Sequence, residues 1–266
     1  VVLNQNATLF YNGSFDTAGN VRVTRVVWRG MRKVGFKYWY DDNAFKSSFL
    51  HALSSVFYGG EKFFMKSLNH SSKEHPEFKE EVRNFVIQEN NHSKAHQKLN
   101  KEIDRIYGNK VLQDLELATD EILVKLYSKL PQELNLIITE ALEHITYHLC
   151  KSILERQDVL DTAYSDAKKL FVYHCIEEVG DVHSSVASKI ANKIITKWHY
   201  KLARKLAITP ITLALVFVRF LHLKYIYKCN RDIRVRETIT GLNDLFGFEG
   251  WVKEGFIRSI KTWQKK

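Results

Sequence analysis

Residues 88–96 read QENNHSKAH, in which Glu89, His92 and His96 are spaced three and four apart. At 3.6 residues per turn all three fall on one helix face. Carboxylate oxygens and imidazole nitrogens grouped in this way are donors for a divalent transition metal. The pattern alone equally describes a solvated polar face, so the choice rests on other segments. Glu61 lies in GGEKFF, Glu143 and His144 in TEALEHITYHL, and Glu177 and Glu178 in YHCIEEVGDVH. Carboxylates buried on several helices are costly unless paired or metal-bound. One Glu from each of two helices, with Glu-x-x-His from two more, is the donor set of a dinuclear carboxylate site in a helical bundle. Two cations need several carboxylates for neutralisation, and an open position admits oxygen, water or substrate.

The last segment departs from this recipe. Three residues after Glu178 stands Asp181, and the next histidine is His183. A five-residue step turns a helix by about 500°, which points His183 about 140° away from Glu178. A π-bulge near Gly180 would bring His183 partly back. Alternatively Asp181 supplies an oxygen, or His174, four residues before Glu178, supplies the nitrogen. The expected ligands are Glu61, Glu89, His92, Glu143, Glu178 and His183. His96, His144, His174, Glu177 and Asp181 are further ligands or groups that hold them.

The elements that must position these residues read as helices. Only 3 Pro and 12 Gly occur among 266 residues, which favours long helices. From residue 44, Phe45, Phe49, Leu53, Val56 and Phe57 repeat at helical spacing, and Gly59 and Gly60 are expected to interrupt them. A second helix is expected from about Pro76 to Arg105, with Glu77, Glu80 and Glu81 near its N-terminus. Residues 110–129 form a third amphipathic segment, and Pro131 opens a fourth. After a loop near 157–161 a long segment follows, interrupted only at Gly180. Residues 1–43 read as an irregular arm or short hairpin, 44–205 as the metal-binding bundle and 206–266 as a helical extension packed on it.

Lys and Arg exceed Asp and Glu by ten, yet no nucleic-acid motif is present, so a loosely basic surface is expected. Cys150, Cys175 and Cys229 are odd in number and widely spaced, which fits reduced thiols of a cytoplasmic protein. No signal-peptide pattern opens the sequence. The apolar run 208–218 is interrupted by Arg219 and is short for a span of about 20 residues. A buried helix is expected first, a membrane-surface helix second.

SSVFYGGEKFF, FVIQENNHSKAHQKLN, ALEHITYHL and YHCIEE resemble, in order, the signature blocks of the bacterial family described as predicted metal-dependent hydrolases. The resemblance covers roughly residues 44–190. It implies an all-α, ferritin-like four-helix bundle core with extra N- and C-terminal segments. It also implies that Glu61, Glu89, His92, His96, Asn100, Glu143, His144, His174, Glu177 and Glu178 occupy the family's positions. Asp181 stands where the family has histidine, and Tyr58 where it has proline.

The functional expectation is an enzyme with two iron ions, alternatively manganese or zinc, that oxidises a small or apolar organic substrate with oxygen. The alternative is hydrolysis by metal-activated water, and the second alternative is a non-catalytic helical module with a structural or degenerate site. No specific nucleic-acid partner is expected. Peripheral membrane contact through 208–226 and a homodimer are both compatible with the pattern.

Overall fold

The computed structural model describes residues 38–156, 159–160, 165–180, 183–229 and 235–265. The fold is all-α, with no strand among the described residues. In chain order the helices are α1 (Ala44–Glu74), α2 (Lys79–Tyr107), α3 (Val111–Lys129), α4 (Gln132–Glu155), α5 (Ser165–Gly180), α6 (His183–Ile194), α7 (Trp198–Cys229), α8 (Val235–Phe246) and α9 (Trp251–Trp263). A 3₁₀ turn, Pro76–Phe78, leads into α2.

Local chemistry sets the helix ends. The Asn43 side chain accepts from the Lys46 amide at 3.0 Å and opens α1. Gly108, at φ 68°, closes α2 in the left-handed conformation. The Asp104 carboxylate then reaches forward from α2. Its two oxygens accept from the Leu112 and Gln113 amides, each at 3.0 Å, and so occupy donors that the first turn of α3 leaves open.

Two expectations about helix breaks need correction. Gly59 and Gly60 do not interrupt α1, which runs through them. Gly59 instead lets α3 approach: a Cβ there would lie 3.0 Å from Cα and N of Asp120. Gly59→Ala is therefore expected to force the helices apart and cost about 1–3 kcal/mol in chemical denaturation. The segment after 165, expected to be interrupted only at Gly180, also breaks at 195–197. Pro210 and Arg219 do not end α7. The carbonyl that Pro210 leaves without a donor belongs to Leu206, and both residues are exposed, so water can serve it. The resulting helix is long and apolar enough over Trp198–Ile226 to cross a membrane by length and composition.

α1 packs along α2, α3 and α8, while α4 packs along α5, α6, α7 and α9. Two apolar cores form along the bundle. One takes Phe49 and Leu50 of α1, Leu99 and Ile103 of α2, Ile153 of α4 and Leu170 and Phe171 of α5. The other takes Phe63 and Leu68 of α1, Val82 and Phe85 of α2, Leu136 of α4 and Ile190 of α6. The candidate ligands on α1, α2 and α4 lie in sequence between these two sets. A polar layer is thus enclosed by apolar packing above and below.

The expected boundary between residues 205 and 206 falls inside α7, whose Leu223 and Ile226 are part of the first core. Trp39 and Tyr40 join that core too, with Trp39 Nε1 donating to His51 Nε2 at 2.8 Å. Of the arm expected over 1–43, residues 1–37 lie outside the described residues.

Candidate metal centre

Four helices converge on the polar layer. α1 brings Glu61; α2 brings Glu89, His92 and His96; α4 brings Glu143; α5 brings His174, Glu177 and Glu178. All are buried, with Glu89, His92 and His96 at 0% exposure. Three overlapping triads have donor atoms within 4.8 Å of one another: Glu61, His92 and His174; Glu89, His92 and Glu178; and Glu61, Glu89 and Glu143. These three triads join six side chains into one cluster.

His92 and His174 are held so that one nitrogen of each faces the carboxylates. His92 Nε2 lies 2.7 Å from Glu177 Oε2, to which it donates. Nδ1 then faces Glu89 at 3.6 Å and Glu178 at 3.8 Å. On the other side, Ser54 Oγ lies 2.9 Å from His96 Nδ1, and His96 Nε2 lies 2.9 Å from His174 Nδ1. With His96 neutral, donating through Nδ1 to Ser54, its Nε2 accepts the His174 Nδ1 proton. The lone pair of His174 Nε2 then faces Glu178 at 3.3 Å. This arrangement, with the far nitrogen fixed by a hydrogen bond, orients metal-ligating imidazoles.

The electrostatics agree. Burial, then the neighbouring His174, His92 and Arg219, holds His96 well below its ordinary pKa, which keeps it neutral. Burial would lower His92 as well, but Glu177 and Glu89 outweigh it and lift His92 to about 10. Burial, Glu178 and Glu89 push Glu143 well above the carboxylate range. Without cations the carboxylates crowd one another at this spot. Glu61 Oε2 and Glu143 Oε2 are buried and have no hydrogen-bond partner among the described residues. Oxygen donors without protein partners, facing imidazole nitrogens, are the features that fit a divalent metal.

Not every expected residue joins the cluster. His144 is turned away: its Nε2 lies 3.1 Å from Ser259 O and 3.0 Å from Thr262 Oγ1 of α9. Adjacent helical residues point about 100° apart, so Glu143 and His144 cannot share a face. The expectation of His144 as a ligand or its support is corrected accordingly. Asn100 also stays apart, donating to Glu116 Oε1 at 2.6 Å. Asp181 lies outside the described residues, as does the side chain of His183. Residues 181–182, where a bulge was the option for His183, lie outside the described residues. The nitrogen beside Glu178 belongs to His174, at i−4.

Two groups near the centre were missed in the sequence. Ser54 falls seven residues before Glu61, on the same face of α1, and that spacing was its only signal. Arg219 had been read only as a break in an apolar run. It is buried and donates from Nη1 to Ala52 O at 2.7 Å. Aromatic rings wall the cluster: Phe57 stands 4.3 Å from the His96 ring and 4.5 Å from His174, with Tyr173 5.9 Å from His92.

Glu177→Ala removes the acceptor that fixes His92. It is expected to lower metal affinity by about 10–100-fold while the far-ultraviolet dichroism stays unchanged, as titration calorimetry would report.

A family model described as "Predicted metal-dependent hydrolase" matches residues 23–266. No curated protein and no solved structure matches the chain. The description speaks for hydrolysis, which was the alternative reading, and lends nothing to the oxidation expected first.

Proposed function

Because the chain belongs to the family of predicted metal-dependent hydrolases, we propose that its buried cluster holds two divalent ions for hydrolysis of a small, apolar substrate. The observation that carries this reading is the joining of Glu61, Glu89, His92, Glu143, His174 and Glu178 through shared members of three triads. In this reading Glu61, Glu89, Glu143 and Glu178 would supply carboxylate oxygens, and His92 and His174 nitrogens, to the ions. Helices α1, α2, α4 and α5 are then the ferritin-like four-helix core suggested by the donor pattern. The donor set suits iron, with manganese or zinc as alternatives.

Such ions, when bound, supply Lewis acidity, polarising the scissile bond and acidifying water. The chain does the rest. Glu177 holds His92, and the Ser54–His96 pair holds His174, so neither ring turns away from its carboxylates. Phe57, Phe171 and Tyr173 restrict bulk water and favour an apolar substrate. Glu143, pushed toward protonation by burial and then by Glu178 and Glu89, and His92, lifted to about 10, must each release a proton to ligate. Metal uptake therefore weakens as pH falls.

The test is a panel of chromogenic carboxylic and phosphoric esters, assayed on the full chain before and after chelation. Iron, manganese and zinc are each added back, with and without oxygen. Hydrolysis that is lost on chelation, restored by one metal and indifferent to oxygen supports the reading. A folded chain that takes up no metal, or that hydrolyses equally well without it, overturns it.

A further inference from the structure

Helix α7 carries a pattern that the metal centre does not use. Residues 182–231 contain ten Lys and Arg and no Asp or Glu, which equals the entire +10 net charge of the chain. α7 lies within this segment. Its inner side packs on the bundle, with Arg219 bonded to Ala52 O and Leu223 and Ile226 in the core.

Its outer side is apolar and, among the described residues, uncovered. Leu213 is 65% exposed, Phe217 63% and Phe220 68%. Leu206, Pro210, Ala214 and Leu221 are exposed between and beside them. The outer face has no charge between Lys205 and Lys224, because Arg219 is buried. Lys201 and Lys205 stand exposed at one end, and Lys224 and Lys228 at the other. The stripe is roughly 28 Å long at 1.5 Å per residue.

We propose that the outer face of α7 docks in the plane of an anionic lipid bilayer, with the apolar stripe entering the headgroup–acyl boundary and the lysines meeting lipid phosphates. A helix with an apolar face and lysines at its margins is the pattern of an interfacial element. Unbroken positive charge across fifty residues is complementary to anionic headgroups. A second copy of the chain is the poorer occupant. Paired parallel about a twofold axis, the two stripes set Lys224 and Lys228 of one copy against those of the other with no acid on the face to offset them. A span is poorer too, since it would strip the inner side of α7, with buried Arg219 and His222, from the bundle.

The test is co-sedimentation of the full chain with phosphatidylserine–phosphatidylcholine vesicles and with pure phosphatidylcholine vesicles. The anionic vesicles are expected to bind at least about tenfold more tightly, with affinity falling as salt rises. Phe217→Glu and, separately, Lys224→Glu are each expected to weaken this binding on the order of tenfold. Both side chains are exposed, so thermal midpoints and metal content should match wild type. Binding to neither vesicle, or binding unchanged by salt and by Phe217→Glu, overturns the proposal. So does a dimer in sedimentation velocity that Phe217→Glu dissociates while no vesicle is bound. Protein released only by detergent, and not by alkaline carbonate, would make α7 a span and overturn it as well.

Discussion

Glu89→Ala is expected to purify with about half or less of the wild-type metal content, even after loading, and to lose the thermal stabilisation that metal confers. Glu89 belongs to two of the three donor triads, joining Glu61 and Glu143 on one side to His92 and Glu178 on the other. Its removal therefore disturbs both of those triads. The magnitude follows from linkage: at a thousandfold excess over the dissociation constant, one bound ion stabilises the native state by about 4 kcal/mol. Elemental analysis and metal-titrated thermal melts give the readout. Glu143→Gln separates ligation from folding. Burial and the adjacent Glu178 and Glu89 push the Glu143 carboxyl toward its neutral form, and glutamine copies that neutral shape. Its metal-free melting point should therefore stay near wild type while metal affinity drops. Wild-type metal content and wild-type metal-induced stabilisation in Glu89→Ala would remove this cluster as the metal site.

The largest effect on folding is expected at Arg204. Its Nε and Nη2 each lie 2.6 Å from an oxygen of Glu140, which has no exposure at all. Ser188 of α6 donates to the same carboxylate, so the pair ties α4, α6 and α7 together. Arg204→Met takes both guanidinium hydrogen bonds away from the buried Glu140 carboxylate, which costs about 3–5 kcal/mol. Replacing both residues by apolar ones of similar volume, as in Arg204→Met with Glu140→Leu, should recover most of that loss. Urea unfolding of the single and double variants decides the matter. A single-variant cost below about 1 kcal/mol would mean that the carboxylate is solvated after all.

Both results bear on what could be read from the chain alone. That the candidate donors on α1, α2 and α4 share helix faces was legible because ExxH spacing and helical periodicity are local properties. Glu89 and His92 share a face wherever that helix goes. His144 misled for an equally local reason: adjacency in sequence suggested a pair, but adjacent helical residues diverge. On α5 the expected motif is absent, and the structure sets His174 one turn before Glu178 in its place. Spacing allowed that option without selecting it, because the choice depends on which face of α5 meets α2. The Arg204–Glu140 pair spans 64 residues and left no signal, since buried ion pairs between distant helices follow no spacing rule.

By itself the sequence determined the all-α class, the main helices that carry the ligands and the kinds of donor they bring. It also determined where the excess positive charge resides. These are consequences of composition and of a 3.6-residue period, which act within a few turns. Tertiary structure decided that Gly59 is a contact between helices rather than a break. It decided that His144 serves α9 and not the metal centre, that Ser54 and His96 hold His174, and that the apolar side of α7 faces outward. Each of these depends on the rotation of one helix against another, which is set by packing summed over the whole bundle and not by any local run of residues.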